Sequence, residues 1–464
     1  MIIGHSMTDV ERITQIVKGR DVKIYFIGIG GISMSSLAMI SLERGAQVFG
    51  SDIRRSDATE RLERMGARIK YTQARANIME ALPHLAVYSL SISRDNPEYA
   101  AAVALGVPLV SRAEYLGALM LDYDMRIGVS GSHGKSTVTA MLGAILDRGG
   151  DSPSVLCGAE LAGGIGYIRG GMSRLVYEAC EYGDSFLRFS PTVQLLLNID
   201  LDHTDYFSDI SQLNESFLRL ACGAREHTVL NMDDANIKNI LPRISANKVT
   251  YSASAGADFG YEIFPAECGR YGFRLFGDGE RTELTLGIPG RFNAENAVAA
   301  AVAAKSIGVG SSAITDALSS FEGIKRRLQH ICRREGTDIY YDYAHHPKEI
   351  GAVADALFAM GYKNICAFFA PHTYSRTKAF LSEFAEALSR FGAVYVTDIY
   401  GAREGAMIGV SSAALADAVR ECGGKAYALA GEDDLSHALT VGYDCIVLMG
   451  AGDLDRIKKK TEDL

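Results

Sequence analysis

The chain has no pair of cysteines in CxxC spacing; its eight, Cys157, Cys180, Cys222, Cys268, Cys332, Cys366, Cys422 and Cys445, are scattered. That excludes a zinc knuckle and argues against a disulfide framework, so most of these thiols are expected to be small buried hydrophobic groups. No uninterrupted run of about 18 apolar residues occurs, and no membrane-spanning helix is expected. The stretch MIIGHSMTDVERITQIVKGR lacks a basic segment followed by an apolar one, which argues against a signal peptide and makes the cytoplasm the expected compartment. Positive charge is also in deficit. With 47 Lys and Arg against 56 Asp and Glu, net -9, no excess is present to displace counterions, and no nucleic-acid partner is expected. An anionic substrate therefore needs local basic pockets. Short-period repeats and low-complexity linkers are missing too.

What is present is the rhythm of α/β domains. At 464 residues, and about 100–200 residues per domain, the chain is long enough for roughly three. Three times an apolar, β-rich run leads into a turn and then a helix-like segment, first at KIYFIGIGGISMSSLAMISLERG, then at MRIGVSGSHGKSTVTAMLGAIL, then from TDIYYDYAHHP onward. We read domains at 1–122, 123–324 and 325–464, with outer domains of Rossmann type and a central one of P-loop type. Residues 245–290 read as a β-excursion within the central domain, and the last domain as four strands separated by helices. The 48 glycines gather at strand-to-helix junctions, a distribution that suggests nucleotide sites.

Gly28, Gly30 and Gly31 follow the strand KIYFI and open a helix, where backbone NH groups can face a pyrophosphate. Ser33 stands at the third glycine position of GxGxxG, so its backbone is expected to avoid positive φ, and Asp52 falls about twenty residues on, where a ribose contact is expected. Taken alone, this loop suggests a nicotinamide-dependent oxidoreductase. The second loop does not fit that reading. Gly131-Ser132-His133-Gly134-Lys135-Ser136-Thr137 sits between a strand and a helix, the context of a phosphate-cradling loop, with Lys135 adding charge and the Ser136 hydroxyl available to Mg2+. The generic motif needs a glycine at 129, where Val129 stands. Beyond it, Glu178 and His203 lie near strand ends beside the loop and suit Mg2+. Glu181, Asp202 and Asp205 read as solvated groups or as supports behind direct ligands.

GSHGKST resembles the phosphate loop of the Mur ligases, whose pattern accounts for the missing glycine. Further segments resemble that family in order along the chain: GIGGISMS, SISRDNPE, VSRAEYL, EACEYGDSF, NIDLDHTDYF, GRFNAENA, KRRLQ, YYDYAHHPKE and APHTYSRT. The resemblance implies an ATP- and Mg2+-dependent ligase with UDP-N-acetylmuramate and L-alanine as substrates. It implies UDP-sugar contacts at Gly28, Gly30, Gly31, Ser33, Asp52, Ser89 and Asn96, and Mg2+ at Ser136, Glu178 and His203. For ATP it implies the loop 131–137, Asn293 and Asn296 toward adenine, Arg327 at the γ-phosphate and Asp342 at the ribose. Tyr343, His372 and Arg376 would form the amino-acid site, with Arg376 forking onto the alanine carboxylate.

The implied chemistry is attack of the lactyl carboxylate on the γ-phosphate, then attack of the alanine amine on the acyl phosphate. Lys135, Arg327 and Mg2+ would stabilise charge on the transferring group. His345, His346 or His372 would take the amine proton, and sequence does not choose among them. Closure of the C-terminal domain over the central one would exclude water. A relative that adds a tripeptide, or glycine or serine, is the close alternative, and a P-loop switch coupled to a partner protein is a more distant one. Monomer and homodimer are both left open.

Overall fold

The computed structural model describes residues 9–460 apart from 162–163, 205, 403, 429–431, 453 and 455–456; Asp205 and the first eight residues thus lie outside the described residues. Three sheets follow one another. The first is five-stranded and wholly parallel, in the order Arg68–Lys70, Gln47–Ser51, Lys23–Ile27, Leu85–Tyr88, Leu109–Ser111. That order reverses at Lys23–Ile27, and such switch points leave a crevice at the carboxyl ends of the strands. The loop 28–31 occupies it.

The central sheet has ten strands. Met125–Ser130 lies between Arg174–Glu178 and Val193–Leu196, all parallel, so the phosphate loop, Glu178 and the segment after Leu196 emerge at one edge. Phe259–Pro265 joins this sheet in parallel, and Arg270–Gly277 and Glu280–Pro289 extend it antiparallel. The region read as a β-excursion is therefore the outer four strands of the sheet. Helix Arg291–Ser306 packs on helix Lys135–Arg148, and its alanines 294, 297, 299, 300, 301, 303 and 304 are all buried. Small side chains let the two backbones approach closely, which fixes the helix behind the phosphate loop.

The third sheet runs Gln329–Arg334, Thr337–Asp342, Cys445–Gly450, Ile365–Ala370, Ala393–Val396, Ala426–Ala428, antiparallel only in its first pair. The four expected strands are there. Two edge strands were not legible, because Gln329–Arg334 is half-exposed and polar and Ala426–Ala428 is three residues long. The central strands are apolar on both faces, as a sheet covered by helices requires, and every residue of Ile365–Ala370 is buried. The thiols depart from expectation: only Cys157, Cys366 and Cys445 are buried, while Cys268 and Cys422 are exposed.

Packing divides the molecule unequally. One apolar cluster runs from Ile24 and Phe26 of the first domain through Met120 and Tyr123 to Tyr177 and Phe189 of the second. The C-terminal domain instead has cores of its own around Phe369 and Phe368. Its seam with the central domain is largely polar, which is the construction expected of a domain that moves.

Candidate active site

The phosphate loop is held open by its own side chains. Gly131 and Gly134 have φ of 144° and 83°, and a Cβ on Gly134 would stand 2.4 Å from Asn296 Oδ1. The His133 amide donates to Asn198 Oδ1 at 2.8 Å, and Ser132 Oγ donates to the Asp200 carbonyl at 2.8 Å. Thr137 is buried in the first turn of the helix. Lys135 folds back onto the loop, donating to the carbonyls of Gly131 at 2.6 Å and Ser132 at 3.1 Å, and pairs with Glu181 at 3.0 Å. Burial opposes the charge on Lys135, yet Glu181, Cys180 and Glu178 together more than offset it and raise its pKa, so the ammonium stays protonated. Glu181 and Asp202 are both buried, so neither is a solvated surface group.

Ser136 Oγ donates to Glu178 Oε2 at 2.8 Å, and the same oxygen accepts from the Gly158 amide at 2.7 Å. Two oxygen donors thus meet beside the loop. His203 approaches from the other side, its Nε2 3.4 Å from Glu181 Oε1, and its φ of 53° marks a strained turn after the strand. Among the described residues no three His, Cys, Asp or Glu side chains gather into a complete cage. An oxygen pair that leaves room for water and phosphate suits Mg2+, which keeps most of its hydration.

A cleft of about 870 Å3, counted with its mouth, opens between loop and C-terminal domain. His133, Gly134, Thr137, Asn296, Arg327 and Asp342 line it, with apolar walls from Leu197, Tyr251, Phe292 and Val353. Asn293 departs from expectation. Phe292, Glu295, Asn296 and Ala299 make the helix face toward this cleft; Asn293 is turned about 100° from Phe292 and donates to the Pro289 carbonyl at 2.7 Å. It lines a different cavity. Asp342 accepts amide bonds from Leu328 and Ala344, both at 2.6 Å, and burial raises its pKa to about 6. Burial opposes charge on Arg327, but Glu349, Asp342 and Glu178 more than compensate; its guanidinium lies 5.2 Å from the Tyr343 ring centre.

The seam between the central and C-terminal domains was mostly missed from sequence. His133 Nδ1 contacts Glu349 Oε1 at 2.9 Å, its Nε2 lies 3.5 Å from Asp200 Oδ2, and Lys348 pairs with Asp200. Burial alone would lower the His133 pKa; the two carboxylates reverse this and raise it to about 9. Glu349 closes a capping box on helix Pro347–Ala359, whose N-cap is His346. The string HHPKE carried that signal, a Pro at the first turn and a Glu three residues after the cap.

Arg376 is already occupied. Its Nε and Nη2 donate to Asp202 Oδ1 at 3.0 and 2.6 Å, with Nη1 3.1 Å from His372 Nδ1. The fork expected for an incoming carboxylate is thus held by an internal one. His345, His346 and His372 are all driven toward the neutral form, chiefly by burial, His346 to about 4 and His372 to about 3. His345 contacts the Tyr343 carbonyl at 2.9 Å and lies 6.3 Å, ring to ring, from His372.

In the first domain Gly28 has φ of 78°, and the Gly30 amide donates to Asp52 Oδ2 at 2.8 Å. Gly31 is the N-cap of helix Ile32–Glu43, with no side chain covering its first amides. Ser33 lies inside that helix, with the negative φ expected. Ser89 bonds Ser91 at 2.9 Å. Asn96 departs from its expected role, since its amide caps helix Pro97–Ala104 and bonds Gln73 at 2.8 Å, leaving little for a ligand. A cavity lined by Ser33, Ser36, Arg112, Gly158 and Glu178 joins this helix to the acidic strand end.

Comparison with known proteins agrees with this layout. Residues 23–124 match the model of the Mur ligase family catalytic domain, 129–304 that of the Mur ligase middle domain, and 326–452 that of the Mur ligase glutamate ligase domain. UDP-N-acetylmuramate–L-alanine ligases of Caldanaerobacter subterraneus and Caldicellulosiruptor bescii are 39% and 38% identical, each alignment covering 94% of this chain and 96% or 97% of the relative. The crystal structure of UDP-N-acetylmuramate–alanine ligase from Thermotoga maritima superposes with a TM-score of 0.80 at 26% identity, over 95% of this chain and 98% of that one. A murein peptide ligase from Psychrobacter arcticus shares the fold, with a TM-score of 0.73 at 22% identity. Three ordered sheets, a phosphate loop facing Glu178 and relatives aligned over nearly the whole length lead to one conclusion: the chain belongs to the Mur ligase family.

Proposed function

We infer that this protein joins L-alanine to the lactyl carboxylate of UDP-N-acetylmuramate at the expense of ATP, as part of peptidoglycan precursor synthesis. The observation that carries the reading is the grouping of two cations, Lys135 and Arg327, around Glu178 beside the cleft that Arg327 lines, together with relatives of that activity aligned over 94% of the chain. The working units are 1–122 for the UDP-sugar, 123–324 for ATP and 325–464 for the amino acid.

A carboxylate is a poor acyl donor, so it must be activated. The UDP diphosphate rests on the amides of loop 28–31, and the muramate reaches Glu178 through the cavity past Ser33 and Arg112. Adenosine fills the apolar cleft beside Asn296 and Asp342. Lys135 leaves its loop carbonyls for the phosphates, while Glu181 keeps it protonated. Arg327 stabilises the charge on the transferring group from the opposite side. Ser136, Glu178 and His203 would hold Mg2+, which would supply charge neutralisation there.

The amine of alanine then attacks the acyl phosphate carbonyl, and phosphate leaves. The amino acid binds among Tyr343, His345, His372 and Arg376, a chain of contacts that ends on the Arg376–Asp202 pair. The neutral imidazoles of His345 and His372 are in the form that accepts a proton. Phosphate release from ATP with UDP-N-acetylmuramate, measured in parallel with L-alanine, glycine, L-serine and a tripeptide, tests the assignment. The highest kcat/KM is expected with L-alanine; preference for the tripeptide would overturn it.

A further inference from the structure

A second cavity lies behind the nucleotide cleft, at the hinge between the central and C-terminal domains. It holds about 1560 Å3 with its mouth, between Gly287–Pro289, the connecting segment 319–330 and Tyr340. No step of the ligase reaction uses it. Its charged lining is mainly cationic: Arg270, Lys325 and Arg327 face it against the single carboxylate of Glu322. Among the described residues neither Arg270 nor Arg327 has a carboxylate within 4.0 Å in an ion pair; the Arg270 Nε makes a long contact of 3.4 Å to the Glu267 carbonyl. Lys325 pairs with Glu160 at 2.8 Å, but both are about half-exposed and such a pair exchanges readily for a ligand. His330, also in the wall, is engaged by Asp338 at 2.9 Å. Asn293 turns to this side, 2% exposed, with Oδ1 lacking a donor among the described residues.

Arg270, a guanidinium with no carboxylate partner among the described residues, beside the loosely paired Lys325, calls for an oxyanion in the cavity. We propose that the hinge cavity is an effector site for a small phosphate-bearing anion, held by Arg270 and Lys325, whose binding slows ligation by drawing Arg327 away from ATP. Arg327 is the physical link, since it lines both cavities. The segment it belongs to carries backbone strain on both sides of it: Arg326 and Leu328 have positive φ, of 59° and 47°. An anion wedged against them also opposes the small rotations by which the C-terminal domain closes. The inhibitory half of the proposal rests on the assignment of Arg327 to the γ-phosphate; the binding half does not.

The probe is inorganic pyrophosphate, with free Mg2+ held constant. Calorimetric titration into enzyme saturated with ADP is expected to show binding, weakened at least about tenfold by Arg270→Ala or by Lys325→Ala. Without pyrophosphate both variants are expected to keep wild-type kcat and KM for ATP. With it, turnover at saturating ATP falls in the wild type and is spared in the variants. No binding to the ADP-saturated enzyme, or equal binding by both variants, would overturn the site. Binding without inhibition would overturn the regulatory role, whereas unimpaired turnover by Arg327→Ala would overturn the reading of Arg327 instead.

Discussion

Replacing Asp202 with asparagine should loosen the closed arrangement of the C-terminal domain, and the structure sets the size of the effect. Arg376 donates twice to Asp202 Oδ1, and the two side chains are only 6% and 7% exposed, so solvent screens them little. Asparagine keeps the volume and one oxygen acceptor but removes the charge. A hydrogen bond to a charged group contributes about 1.5–3 kcal/mol against about 0.5–1.5 for a neutral one. Stranding a buried charge altogether costs about 3–5 kcal/mol. Asp202→Asn should therefore cost about 2–3 kcal/mol. Because the pair spans two domains, that loss falls on docking and on the placement of Arg376. At about 1.4 kcal/mol per tenfold, kcat/KM for L-alanine should drop about 30- to 150-fold. Small-angle scattering should show a larger radius of gyration in the free enzyme. Glu215→Gln, which breaks an exposed pair with Arg243 at 59% and 52% exposure, is the control and should change neither measurement. If Asp202→Asn matched that control, the assignment of the pair as a domain clamp would fail.

Lys135→Ala should reduce ATP turnover by at least about 10²–10³-fold and also lower thermal stability, because Glu181 loses its cation; Glu181→Gln in the same chain should restore stability but not turnover. Glu178→Gln should raise the Mg2+ concentration needed for half-maximal activity by about tenfold or more, read from a metal titration. His133 gives a pH dependence. Its folded pKa is raised to about 9, above the ordinary imidazole value near 6.5, so the stability it contributes is complete below about pH 6.5 and lost as pH rises through 9. Thermal unfolding of the free enzyme from pH 6 to 10 should show that decline, and His133→Asn should flatten it.

Much of this was legible in sequence because it is local. The two glycine loops and the covered strands are each fixed by residues a few positions apart, and each appears where its pattern put it. Long-range pairing was not legible. Nothing near Arg376 in sequence indicates that Asp202, 174 residues earlier, would take its guanidinium. Asn293 and Asn296 look equivalent in GRFNAENA, but a rotation of about 100° per residue sends only Asn296 into the nucleotide cleft. The outer strands Arg270–Gly277 and Glu280–Pro289 show the same limit, since short alternating runs carry no sign of which sheet they will join.

The most direct test of the account follows the oxygen atoms. UDP-N-acetylmuramate labelled with oxygen-18 in its lactyl carboxylate is incubated with the enzyme, ATP, Mg2+ and L-alanine, and both products are analysed by mass spectrometry. The expected products are the L-alanyl amide together with one labelled oxygen in each phosphate released. Unlabelled phosphate, or phosphate release without an amide product, would contradict it.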